Sequence, residues 1–325
     1  MCFLPSATYF IAAVHSTSTF TSITYYCLFS NQSSELSARP LFRCSFQVRI
    51  MEIVESNEIF KDVEGDGKNK FHHIWLLIRI DGQLHTATCP HRFPRDLQPT
   101  FDLLEDITPL NTVDRGPKMK SIWTCLDSPH DYHVKVPDWA AYTSPKAYLE
   151  EHIRNEIEIC ELLKLHPHPN VAVYAGCVVS NGRVSGLCFK RYTKTLTQRL
   201  NPHHTNKEYF LTMDRPLSSG DNNENVTNAC LDGILAGVRH LHSLGIVHND
   251  ITPSNIMFEE DGTPVIIDFG SCKIIGESMK GVGTTYGWCD FSVKTVVETN
   301  DLNAVAELRT WLLGSSADEY LFSEG

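Results

Sequence analysis

The sequence predicts an α+β fold, and three observations lead there. Short apolar runs separated by turn dipeptides gather ahead of residue 190, as paired strands do. Apolar residues at helical spacing mark two longer stretches, one through Ile153, Cys160 and Leu163, the other through Leu231, Ile234, Leu235, Val238 and Leu241. Between them and the end of the chain, Ile256-Met257-Phe258 and Val265-Ile266-Ile267 flank Asp261-Gly262, a tight-turn signal that reads as a hairpin.

Composition sets the outer limits. A chain of 325 residues with 42% hydrophobic and 21% charged side chains can bury a sizeable core in one large domain or two modest ones. The net charge of −11 comes without any extended Lys/Arg run, which argues against a nucleic-acid or anionic-membrane partner. Eleven Cys, an odd number with no C-x-x-C pair, read as buried apolar residues of a reducing compartment rather than as a disulfide framework or a zinc site. Paired His residues such as His72-His73 and His203-His204 lack Cys or acidic partners at ligand spacing and read as surface or loop residues.

Taken in order, residues 1–50 are rich in Ser, Thr and aromatics. They have neither the basic leader nor the unbroken apolar centre of a secretory signal, and read as a disordered or non-native extension. Met51 opens a stretch of different character, and no window approaches the ~18–20 apolar residues of a membrane span. Residues 51–115 read as an accessory β-hairpin, Phe71 to Cys89 turning at Asp81-Gly82, followed by a linker over Phe101 to Asn111. A second strand pair is expected at Ser121–Leu126 and Tyr132–Val136, with Lys135 on the face opposite the valines. Ser144-Pro145 offers a cap and first-turn Pro for the helix that follows. On that helix Glu156 falls on the apolar stripe while Glu151, Arg154, Glu158 and Glu161 lie elsewhere. A lone carboxylate there demands a cation. Strands follow at Val171–Val179 and Arg183–Phe189, then a short helix from Leu196 to Leu200, a polar surface loop over Asn201–Asn225, and the amphipathic helix through Leu241.

The chemistry concentrates in Ile246 to Cys272. Asp250 follows His248 by two residues and precedes Asn255 by five, and Asp268 closes the hairpin. Asn255 at the start of one strand and Asp268 at the end of its partner can converge on one metal-phosphate cluster, and hard oxygen ligands suit Mg²⁺. Turn-forming Asp and Asn would account for either residue alone but leave the joint spacing unexplained.

This segment resembles the catalytic loop and metal-binding hairpin of eukaryotic protein kinases, H-R-D-L-x-x-x-x-N followed by D-F-G. The resemblance covers roughly Gly116 to Gly325 and implies a two-lobed protein-kinase-like fold, a β-rich small lobe (116–190) and a helical large lobe (191–325), C-terminally shortened. It implies that Asp250 takes the proton of the attacking hydroxyl, that Asn255 and Asp268 hold the metal, and that Lys135, paired with Glu156, holds the α- and β-phosphates of ATP. The hinge at adenine would be Lys190-Arg191-Tyr192, with Phe189 behind it and Met257 beneath. Thr284, in the substrate-docking segment Gly281–Asp290, would bond Asp250, and the leading Asp301 of DLNAVAELRTWLL would brace the catalytic loop.

Several positions depart from the pattern. Asn249 replaces the Arg that pairs with a phosphorylated activation segment, which argues against that switch. Thr252 replaces a Lys that neutralises the transferring phosphoryl group, so catalysis would be slow or another positive charge would serve. His133 replaces a small residue beside adenine, no G-x-G-x-x-G lies between Asp106 and Lys135, where Gly116 stands alone, and the A-P-E triplet is absent. The expected activity is an ATP- and Mg²⁺-dependent serine/threonine protein kinase, intracellular in cytoplasm or nucleus, acting on a protein substrate. Its rivals are a pseudokinase scaffold and a small-molecule phosphotransferase.

Overall fold

The computed structural model describes residues 10–17, 20–30, 36–46, 51–61, 70–93, 99–137, 141–142, 145–212 and 221–322. The chain divides into two units, Met1–Asn111 and Thr112–Gly325, a boundary slightly upstream of the one read from the sequence.

In the first unit, residues that the sequence reading assigned to a disordered or non-native extension carry three antiparallel strands, β1 (Phe10–Thr17), β2 (Phe20–Ser30) and β3 (Leu36–Phe46). A second sheet has the order β4 (Met51–Lys61), β5 (Lys70–Ile80), β6 (Gln83–Cys89), β7 (Glu105–Pro109). The expected hairpin is its centre: Ile80 pairs with Gln83 across Asp81-Gly82. Both turn residues have positive φ, +50° and +85°, as a two-residue type I′ turn requires. Ile74, Leu76, Ile78 and Ile80 alternate along β5 and bury one face against Ala87, Cys89 and Leu104. The expected linker at 101–111 instead forms a 3-10 turn, Phe101–Leu103, and the edge strand β7. Every residue of β7 is exposed, so no apolar alternation announced it.

The second unit begins with a three-stranded sheet of order β8 (His133–Lys135), β10 (Arg183–Phe189), β9 (Tyr174–Ser180). Helix α1 (Lys146–Leu165) buries Leu149, Ile153, Glu156, Ile157, Ile159, Cys160 and Leu163. Pro145 stands at its N-cap without a side-chain cap; Ser144 lies outside the described residues. Ser121–Leu126 is not a strand. Trp123 turns into the core, and Thr124 is held through its amide by Glu161 at 2.6 Å. Cys125 makes a parallel bridge to Cys177, so the segment runs briefly alongside β9 instead of pairing with β8.

Helices dominate the rest: α2 (Leu196–Leu200), α3 (Lys207–Thr212), α4 (Asp221–Ser243) and α5 (Glu298–Leu313). Thr195 caps α2 in a reciprocal capping box with Gln198. The expected polar loop at 201–225 contains α3 and the start of α4. Phe210 of α3 stacks on Trp311 of α5 at 4.2 Å, a tertiary contact that stabilises a six-residue helix too short to persist alone. Four short strands, β11 (Ile246–Val247), β12 (Ile256–Phe258), β13 (Pro264–Ile266) and β14 (Lys273–Ile274), pair as β11·β14 and β12·β13. The β12–β13 turn spans 259–263, with Glu259 N donating to Thr263 O, so the hairpin is looser than the dipeptide alone suggests. Val171 bridges Ile266, Asn170 donates to Pro264 O at 2.8 Å, and one apolar core runs from Ile157 through Phe189 and Phe269 to Trp311. Among the described residues no helix is long and apolar enough to cross a membrane.

Candidate active site

The strands β11 to β14 bring the chemistry to one place by fixing the backbone around it. Asp301, fully buried at the start of α5, accepts from the amides of His248 (2.8 Å) and Asn249 (2.7 Å) and from His242 Nε2 (2.9 Å). A carboxylate receiving two main-chain N–H groups locks the loop between them. His248, also fully buried, meets Ile267 O through Nε2 at 3.0 Å and receives the Asp250 amide on Nδ1 at 3.3 Å. Those partners assign the neutral tautomer with the proton on Nε2. His248 therefore ties the Asp250 loop to the strand that leads into Asp268.

Asp250 is gripped at both oxygens. Asn255 Nδ2 donates to its Oδ2 (2.8 Å) and to its main-chain O (2.9 Å), while Thr285 donates to Oδ1 through its amide (2.9 Å) and its hydroxyl (2.8 Å). The threonine bonded to Asp250 is thus Thr285, not Thr284. Thr284 lies one residue off in a loop with no period to fix its register, where the Cys289 thiol donates to Thr285 O at 3.6 Å. With the Asn255 NH₂ spent on Asp250, its carbonyl oxygen is the atom left to offer a cation.

Lys135 on β8 makes two ion pairs, to Glu156 of α1 at 2.5 Å and to Asp268 at 2.7 Å. Burial presses the Lys135 ammonium toward neutrality, but the charges of Glu156 and Asp268 and their hydrogen bonds outweigh it and hold its pKa above the ordinary lysine value. Asp268 shows the reverse balance: burial raises it, and Lys135 with the Gly270 amide brings it below the usual aspartate value. Asp268 sits at φ +64° and Asn249 at +63°, left-handed positions that Asp and Asn tolerate better than most side chains. Asn249 fits its place for that reason. Its Nδ2 bonds Val247 O and Ser271 O, both at 3.1 Å, and its Oδ1 accepts from Asn300 at 3.0 Å, so neutral hydrogen bonds occupy the position of the missing Arg.

A cavity of about 320 Å³ opens from Lys135 and Asp268. Its walls include His133, Phe189, Lys190, Tyr192 and Met257, joined by Ala172, Arg191 and Ile267. The volume sits at the lower end of small-molecule sites. Lys190 turns its ammonium to Glu259 at 2.6 Å. Gly116 belongs elsewhere: a Cβ there would stand 1.9 Å from Val184 O, so this glycine serves a close approach to β10. Asn255 and Asp268 offer a carbonyl and a carboxylate oxygen, a hard-donor pair that fits Mg²⁺ shared with phosphates. Among the described residues no group of three or more His, Cys, Asp and Glu could hold a metal by itself.

A family model described as protein kinase domain matches residues 132–306. The chain is 33% identical over 28% of its length to the serine/threonine-protein kinase pakA of Talaromyces marneffei, covering 14% of that protein. It is 27% identical over 47% of its length to the serine/threonine-protein kinase Tao of Drosophila melanogaster, covering 13% of it. To the serine/threonine-protein kinase ste20 of Aspergillus fumigatus it is 33% identical over 28% of its length, covering 11%. The chain thus spans only a small part of these relatives.

Proposed function

The chain belongs to the protein kinase domain family, and from that premise we propose that it transfers the γ-phosphoryl group of ATP, with magnesium, to serine or threonine hydroxyls of a protein substrate. The observation that carries this reading is the pair of linked constellations, Glu156–Lys135–Asp268 and Asn255–Asp250–Thr285, joined through His248. Lys135 would hold the α- and β-phosphates, its charge kept by two carboxylates. Asp250, its oxygens fixed by Asn255 and Thr285, would orient the substrate hydroxyl for in-line attack and receive its proton. Asn255 and Asp268 would hold magnesium, which when bound supplies positive charge to the β- and γ-phosphate oxygens. The adenine would enter the cavity between Phe189, Tyr192 and Met257. Catalysis of this kind rests on positioning and electrostatics.

A second reading, a nucleotide-poor binding scaffold, draws on Gly116 packing against β10 and on Thr252 in place of a cation. One experiment separates the two: melting of the full chain with and without ATP and Mg²⁺, beside Lys135→Met and Asp268→Asn, with transfer of labelled phosphate to Ser/Thr peptides. A ligand bound only by the folded state stabilises it by ~2.7 kcal/mol at a hundredfold excess over Kd. The kinase reading expects a Mg²⁺-dependent rise that both variants lose, with label appearing on the peptide. No rise at millimolar ATP in a folded protein would sink it and leave the scaffold.

A further inference from the structure

The mechanism above leaves one buried ion pair unused. Lys207 of α3 and Glu307 of α5 form a salt bridge with side chains 4% and 0% exposed. All three ammonium donors are matched: Glu307 Oε1, Gly287 O at 2.5 Å and Phe322 O at 2.8 Å. The rings of Tyr320 (4.4 Å) and Trp288 (5.2 Å) flank the charge. Glu307 is equally engaged, accepting from the Leu321 amide on Oε2 at 2.7 Å. Stability is a weak account of such a pair, because apolar residues of similar volume often serve as well or better. What an apolar pair lacks is a donor for the main-chain carbonyl of Gly287.

That carbonyl lies two residues beyond Thr285, whose amide and hydroxyl hold Asp250. Trp288 N closes the turn onto Thr285 O at 3.1 Å, and Trp288 packs edge-on to Trp311 at 6.2 Å. A recess of about 160 Å³ lies here, lined by Lys207, Thr252, Ser254, Thr285 and Trp288 among others, against the catalytic loop. The contacts run in series, from Glu307 to Lys207, to Gly287, to Thr285, to Asp250. We propose that the buried Lys207–Glu307 pair is the clamp that fixes the 285–288 turn, which makes Lys207 a positioning residue for the substrate segment that lies beside Asp250. Its kinetic consequence rests on the phosphotransfer reading; the clamping of the turn does not.

The test replaces both charges together, Lys207→Met with Glu307→Leu, so that no unpaired charge is buried. Amide hydrogen exchange over 285–289, the melting temperature and its rise with MgATP are measured on the full chain. The clamp predicts exchange at least tenfold faster there in a variant that still melts cooperatively, with the MgATP response close to that of the unaltered chain. Where the unaltered chain phosphorylates a peptide, kcat/KM for the peptide falls at least tenfold while KM for ATP holds. Unchanged exchange in a folded double variant, or an equal loss on the ATP side, would overturn the proposal. If the double variant does not fold, Glu307→Gln, which keeps shape and an acceptor oxygen, carries the same measurements with at least threefold faster exchange expected and unchanged exchange refuting. Should the unaltered chain transfer no phosphate, the enzyme reading fails and exchange alone decides the clamp.

Discussion

Replacing Lys135 by Met strands Glu156, whose side chain is 7% exposed, on the apolar face of α1. Breaking a buried pair from one side commonly costs about 3–5 kcal/mol. The loss of melting temperature is then about 6–20 °C at 2–4 °C per kcal/mol, values typical of 150–250 residues. Replacing the stranded carboxylate as well, in Lys135→Met/Glu156→Leu, removes the buried unpaired charge and should recover part of that loss. Thermal melts of wild type and the two variants at one pH test it. A double variant no more stable than the single one would refute the argument.

Asp268 has its pKa lowered, so its contribution to stability is present above the ordinary aspartate value and is lost as pH falls below about 3.9. Acid denaturation curves of Asp268→Asn should lack that part of the decline. Thr285→Ala removes the hydroxyl on Asp250 while keeping the amide contact. If peptide phosphorylation is observed, its kcat should fall about tenfold, the equivalent of one charge-assisted hydrogen bond, with KM for ATP steady. Gly116→Ala drives a Cβ into the Val184 carbonyl and should cost about 1–3 kcal/mol in denaturant melts, whether or not nucleotide is present. Burial raises the Cys160 and Cys272 thiols, so alkylation at pH 8 should label exposed Cys125 first and reach those two only on unfolding.

Much of the fold and of the candidate site was legible because it is written at short range. The spacings of His248, Asp250, Asn255 and Asp268 reflect one loop and one hairpin, and β12 and β13 form within a residue of the runs that announced them. Glu156 stood out by period alone, as a carboxylate on an apolar stripe, and the structure pairs it with Lys135. The failures share the opposite property. Thr284 and Thr285 are adjacent in a loop without periodicity, and the contact that distinguishes them reaches Asp250 across 35 residues of chain. Ser121–Leu126 has the composition of a strand, but with Trp123 buried and Thr124 held by Glu161 it meets β9 at one parallel bridge.

The sequence by itself determined where the candidate site would concentrate, since its motifs need particular residue types at fixed separations along the chain. Tertiary structure alone decided what holds that site in place. Asn249 as a neutral tie to Ser271 and Asn300, Asp301 beneath two loop amides, and Lys207 clamped by Glu307 a hundred residues away are contacts between distant segments. No local pattern encodes them, because a buried charge looks like any surface charge until the fold removes it from water and obliges it to find its partner.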